Sequence, residues 1–232
     1  MNQPSVPSIP DLDDGPYDIE FFFDPGCPFA WQTSVWLRRV VEMRGIRIGW
    51  RFISLQFLNE GKEMPEALVD AQQRSLGFLR VCAAARTQLG NRVVGDLYQA
   101  WGEAFWYDKP DGDFFDRIKT MAKRVNAQEI LEALELPKEL TSAKSDEVWD
   151  ATIRSETNEA IRRTGPDVGT PIITYNPPLG NSLFGPVISS IPDDATSLAF
   201  YDALRTFADF PGFSELKRSN RAAIELPLLQ QG

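Results

Sequence analysis

The chain has 232 residues, a formal net charge of -9, 25% charged and 43% hydrophobic residues, two cysteines and no histidine. That length buries a full core without a disulfide or a metal, and the acidic balance argues against non-specific attraction to nucleic acid or an anionic membrane. Without histidine there is no imidazole triad or general base, and a zinc site would rest on carboxylates and at most the thiolates of Cys27 and Cys82, so no metal is expected.

The first fifteen residues lack the apolar core of a signal peptide. No window approaches the ~20 apolar residues of a membrane span. Two cysteines do not make a secreted disulfide framework, so the expected setting is the cytoplasm, where thiols stay reduced.

Residues 1–16 hold four prolines and three aspartates with little periodicity and read as a flexible tail. Residues 17–23 begin with alternation and end in Phe21-Phe22-Phe23, as a strand does on entering a buried sheet. The apolar run breaks at Asp24-Pro25-Gly26, and Cys27-Pro28-Phe29-Ala30-Trp31 then opens a helix that runs to about residue 44 and stops at Gly45. Pro28 suits the first helical position, where its missing N–H costs nothing.

Cys27 therefore stands at a helix N-terminus, where unpaired N–H groups and the macrodipole favour a thiolate. Such settings lower a thiol pKa from about 8.5 into the range of about 3.5 to 7.5. The alternative is a small buried hydrophobe in a tight corner. With Ala30 three residues on, the motif holds half of a dithiol pair, and redox chemistry at Cys27 needs a second thiol from elsewhere.

Residues 46–53 alternate with period two, placing Ile46, Ile48, Trp50 and Phe52 on one face of a second strand. Strand, helix and strand at these lengths make a right-handed parallel unit, with sites at the carboxyl ends of the strands. From about 54 to 164 there is no convincing strand. Segments near 64–89, 92–106, 112–124, 126–133 and 143–163 read as helices, with turns at Gly90-Asn91 and at 108–112. This block is expected to be an insertion subdomain, with Cys82 mid-helix as a core residue.

Trp31, Trp50, Trp101, Phe105 and Trp106 read first as core, with an apolar pocket over the site as the alternative. After the block, Thr170-Pro171 leads into the apolar stretch 172–175, and Pro171 belongs at the strand's first residue or in the turn before it. Composition leaves the isomer of that bond open. A hairpin loop at 176–181, a return strand from 182, a last helix near 194–207 and a patternless tail from 213 complete the chain.

This order, strand, helix with an N-terminal cysteine, strand, helical block, Thr-Pro strand, hairpin strand and helix, resembles the DsbA type of thioredoxin-like fold. It is an α/β class with a mixed sheet and a large all-helical insertion. The expected division is a tail at 1–16, thioredoxin-like halves at 17–53 and 165–212, a helical insertion at 54–164 and a C-terminal tail at 213–232. The stretches 22–31, 53–60, 167–171, 184–187 and 213–218 together are similar to successive blocks of the actinobacterial mycothiol-dependent nitroreductase family.

The resemblance implies a nucleophilic role for Cys27. It also implies a cis-proline loop at Thr170-Pro171 offering backbone groups to a thiol, with Pro28, Phe29, Ala30 and Trp31 completing the thiol site. Mycothiol is then the cosubstrate, with no tightly bound cofactor. A small apolar or nitroaromatic substrate and a mycoredoxin-type reductant are the expected partners. The departure is Ala30, where the family motif usually has a second cysteine. A monothiol route remains, in which an external thiol resolves the adduct on Cys27. Rival readings are a kappa-class-transferase-like or hydroxychromene-carboxylate-isomerase-like enzyme that activates a bound thiol, and a non-catalytic binding protein.

Overall fold

The computed structural model describes Leu12 and residues 14–230. The elements in order are β1 (Ile19–Phe23), α1 (Pro28–Arg44), β2 (Ile48–Phe52), α2 (Leu55–Leu58), α3 (Glu66–Leu89), α4 (Arg92–Trp106), α5 (Phe114–Arg124) and α6 (Ala127–Ala133), followed by α7 (Asp150–Thr164), β3 (Ile172–Tyr175), β4 (Ser182–Phe184) and α8 (Asp194–Asp209). Short 3-10 turns occupy Lys138–Ser145, Glu147–Trp149 and Pro227–Leu229. The four strands lie in the order β2-β1-β3-β4. β1 pairs parallel with β2 and antiparallel with β3, which pairs antiparallel with β4.

The uninterrupted apolar run of β1 is explained by burial on both faces. Phe21 and Phe23 share the large core cluster with Trp31, Leu37 and Tyr98, while Phe22 joins a small one with Ile53, Ala160 and Ile172. Each such phenylalanine contributes about 1.5–3 kcal/mol when fully buried. α1 stops where expected: Gly45 takes a left-handed conformation at φ 62°, and Ile46 N–H donates to the Val41 carbonyl at 3.2 Å.

α4 lies unusually close to two tryptophans. A Cβ on Gly95 would fall 2.3 Å from Trp50 Nε1, and one on Gly102 would fall 2.1 Å from Trp31 Cζ3. Only glycine at those positions, seven residues and about two turns apart, lets the helix backbone rest on both rings. Tyr98 lies between them on the same helix and stacks on Phe23, with ring centroids 3.9 Å apart.

The 54–164 stretch is helical as expected, with one addition and one division. α2 forms at the end of β2, where four residues carry too little periodicity to announce a helix. The last segment, expected as a helix over 143–163, divides into 3-10 turns up to Trp149 and α7 from Asp150, which packs along β2 and β4 as well as on α3. Its buried Glu156 and Glu159 join Glu20 of β1, Arg51 of β2, Arg86 of α3 and Arg163 in a network of ion pairs. Glu156 also accepts from the Phe52 N–H at 2.7 Å. Alternating charges in the strands thus become the seat of α7.

Both segments read as tails bear on the core. Residues 1–11 and 13 lie outside the described residues, as do 231 and 232, but Leu12 is buried and Asp14 accepts from the Asn91 N–H at 2.7 Å. At the other end Leu226 and Leu228 are buried, and the 3-10 turn that contains Leu228 packs against α4 and α5. Glu225 N–H donates to the Ser189 carbonyl at 2.7 Å, and Arg117 holds the Gln230 carbonyl at 2.6 Å. Two leucines near the end of a polar segment are too sparse a pattern to signal that return. No helix among the described residues is long and apolar enough to cross a membrane.

Candidate active site

The antiparallel register of β1 and β3 builds the site. Phe22 pairs with Ile172, so the turn leaving β1 and the Thr170-Pro171 segment entering β3 meet at one end of the sheet. Thr170 Oγ1 fixes this meeting by donating to the Phe22 carbonyl at 3.3 Å. The Thr170-Pro171 peptide is cis.

Cys27 is the N-cap of α1, with extended backbone at φ -91° and ψ 114°, and Pro28 follows at the first helical position. The Ala30 N–H donates to Cys27 Sγ at 3.4 Å, and the thiol faces the Thr170 carbonyl oxygen at 3.5 Å. Sγ therefore lies between one backbone donor and one backbone acceptor. Cys27 is only 8% exposed.

That burial reverses the expected electrostatics. Loss of solvent pushes the Cys27 thiol up to about 12, overriding the Ala30 N–H that favours the thiolate; a further rise comes from the negative charge of Asp24, and a weaker opposing effect from the Phe29 N–H. These backbone N–H contacts to sulfur are too weak to repay desolvation. The resting residue is a thiol, contrary to the lowered pKa that the helix terminus alone leads one to expect, because burial outweighs the N-terminal N–H groups.

Asp24 is the residue whose part the sequence reading passed over. Its buried carboxyl accepts from the Gly26 N–H at 2.8 Å, the Leu55 N–H at 2.7 Å and the Ser75 hydroxyl. Burial raises its pKa above the ordinary value despite those bonds. Asp24 thereby ties the Cys27 turn to α2 and to α3, and Ser75 adds a bond from the Gly26 N–H at 2.9 Å. The signal was an aspartate placed directly after three phenylalanines, where a solvated carboxylate has no reason to be.

The other expected site residues divide. Pro28 and Phe29 are half-buried beside Cys27, with Arg221 over the Phe29 ring at 5.5 Å. Thr170 and Pro171 are buried against the thiol's side of the turn. Ala30 contributes its N–H and no side-chain surface. Trp31 is 1% exposed, covered by Gly102 and edged by Tyr98, so its indole acts as core and presents no open face to a ligand. Cys82 is a free thiol buried mid-α3, its pKa raised by burial. No cluster of metal-binding side chains occurs among the described residues.

Beside the turn lies a cavity enclosing about 80 Å³, with Gly26 in its wall. Trp101, Phe105 and Trp106 line it while also belonging to, or packing against, the core cluster that holds Trp31 and Trp50. All five aromatics read together in the sequence thus pack in or on one core, and three of them also face the cavity.

The family described as Rv2466c-like, mycothiol-dependent nitroreductase Rv2466c, matches residues 26–218. The chain belongs to this family. It is also 30% identical over 213 residues to the uncharacterized protein Rv2286c of Mycobacterium tuberculosis, covering 88% of this chain and 83% of that protein. Among solved structures, the cytosolic disulfide reductase DsbM from Pseudomonas aeruginosa is similar with a TM-score of 0.51 and 15% identity, over 82% of this chain and 99% of that one. Chlamydia trachomatis DsbA aligns with a TM-score of 0.45 and 13% identity, over 88% of this chain and 100% of that one. The fold is the DsbA-like thioredoxin fold, a mixed four-stranded sheet with many helices.

Proposed function

We propose that the chain is a cytoplasmic thiol-dependent oxidoreductase in which Cys27 alone carries the exchange, with mycothiol as the low-molecular-weight thiol. The observation that supports this reading is the seating of Cys27 Sγ at the N-cap of α1, between the Ala30 N–H and the Thr170 carbonyl. Because position 30 is alanine and Cys82 is a buried free thiol, the second sulfur comes from solution.

The exchange runs in two balanced steps. Cys27 attacks mycothiol disulfide; a new S–S bond joins Cys27 to one mycothiol, the old S–S bond breaks, and the departing mycothiol carries off the proton that Cys27 loses. A second thiol then attacks the mycothiol sulfur of that adduct, returns a proton to Cys27 and leaves as a mixed disulfide. A mycoredoxin-type protein suits this second step. With a nitroaromatic substrate, Cys27 and one mycothiol supply two electrons and two protons, giving the nitroso compound, water and the Cys27-mycothiol disulfide.

The chain's own groups act on charge and proton. The Thr170 carbonyl holds the thiol hydrogen at rest, and the Ala30 N–H meets the negative charge that develops on sulfur. Pro28 and Phe29 form the half-open border over which a thiol approaches. The test is intact-protein mass after incubation with mycothiol disulfide: one adduct, absent in Cys27→Ser, supports the reading, and no adduct overturns it.

A further inference from the structure

We infer that the cavity beside the Cys27 turn is a slot for an aromatic ring bearing an anionic group, with Arg74 and Lys144 selecting the charge. Its assignment as the substrate slot rests on the function proposed above; its preference for an anion does not.

Helical spacing makes the slot. Arg74, Ser75 and Phe78 lie on one face of α3, and Trp101 and Phe105 are one turn apart on α4. Trp101 and Phe105 stack with centroids 4.6 Å apart and planes 11° apart, and Trp106 stands edge-on to Phe105 at 4.9 Å. Phe78, Phe105 and Trp106 are buried while Arg74 is half-buried and Lys144 exposed, so the floor is aromatic and the mouth cationic. The Lys144 stem lies over Gly77, where a Cβ would meet its Cγ at 3.1 Å.

Two features point to a ligand of this class. The walls offer ring faces and edges of the kind that hold another aromatic in stacked or edge-on contact. No carboxylate lines the cavity, and neither Arg74 nor Lys144 forms an ion pair among the described residues. In a chain of net charge -9, two uncompensated cations at one aromatic mouth are set to meet an anion.

The volume sets the scale. About 80 Å³ is several times the roughly 10–15 Å³ that a water requires and about half that of a cavity known to hold benzene. The slot therefore takes the leading part of a single ring, and the anionic substituent stays at the mouth.

The test is calorimetric titration of the full chain carrying Cys27→Ser with 4-nitrobenzoate and with its neutral isostere 4-nitrobenzamide. The acid is expected to bind about tenfold more tightly, the sum of two partly exposed charge contacts, and this preference shrinks in high salt. Arg74→Gln with Lys144→Gln brings the two affinities together, and Ala122→Trp, which fills the slot, removes both. Equal affinities in the parent protein, or a preference that survives the double substitution, overturns the inference. So does failure of both compounds to bind while the cysteine protein forms its mycothiol adduct, a result that leaves the proposed function standing. Anion-selective binding without any adduct upholds the slot and removes the thiol exchange.

Discussion

The thiol of Cys27 faces the carbonyl oxygen of Thr170 across 3.5 Å, although 143 residues separate them in the chain. The pairing of β1 with β3 makes them neighbours, and the burial that comes with it decides the thiol's resting state. Thioredoxin-like geometry is present here with a protonated sulfur.

Alkylation of Cys27 is therefore expected to accelerate with pH without a plateau below pH 9, by about tenfold per unit, because the thiolate fraction grows that way well below the pKa. Iodoacetamide kinetics with peptide mapping measure this. The same shift makes a stability prediction. The folded thiol titrates at about 12 against an ordinary value of 9.0, so the folded state holds a proton that the unfolded chain releases first. Stability from this group is full below pH 9 and declines as pH rises toward 12.

Asp24→Asn is expected to speed alkylation of Cys27 several-fold at pH 8, since it removes the charge that opposes the thiolate. The variant loses one acceptor for the Gly26 or Leu55 N–H, costing about 1–3 kcal/mol. The raised carboxyl pKa also means that native stability falls as pH rises above the ordinary aspartate value, and the asparagine variant lacks that fall. Chemical denaturation at pH 4 and 7 reads both effects.

How much of this was legible depended on distance along the chain. The N-cap cysteine, the first-turn proline and the Gly45 stop are local signals and appear in the structure where the spacing places them. The buried strands were legible because a run of three phenylalanines has few other uses. The thiol's pKa was not, since the groups that exclude water from it come from β3 and the helical block. Which aromatics also reach the cavity was equally hidden: Trp31 and Trp101 look alike in sequence, and the approach of Gly102 seals one off while the other lines the cavity wall. The seat of α7 depends on charges in β1, β2 and α3 that no local pattern links.

Gly102→Ala tests that approach. A methyl 2.1 Å from the Trp31 ring forces ring or helix to move, and overpacking of this kind costs about 1–3 kcal/mol. A lower denaturant midpoint is the expected result.

Glu20→Gln tests the network beneath the sheet. Glu20 meets Arg51 and Arg163, each at 2.7 Å, and removing one charge from a buried group of pairs costs about 3–5 kcal/mol. The loss should be smaller when Arg163 is changed to Met in the same protein, because fewer charges are then left unmatched. Urea unfolding of the single and double variants gives the comparison.

The most direct test of the central claim is the intact mass of reduced protein after exposure to mycothiol disulfide from pH 5 to 9, with the adduct located by peptide digestion. A single mycothiol on Cys27, formed faster at each higher pH and absent from Cys27→Ser, is the result expected of a buried monothiol exchanger. An unmodified chain, or an adduct on Cys82 alone, would contradict it.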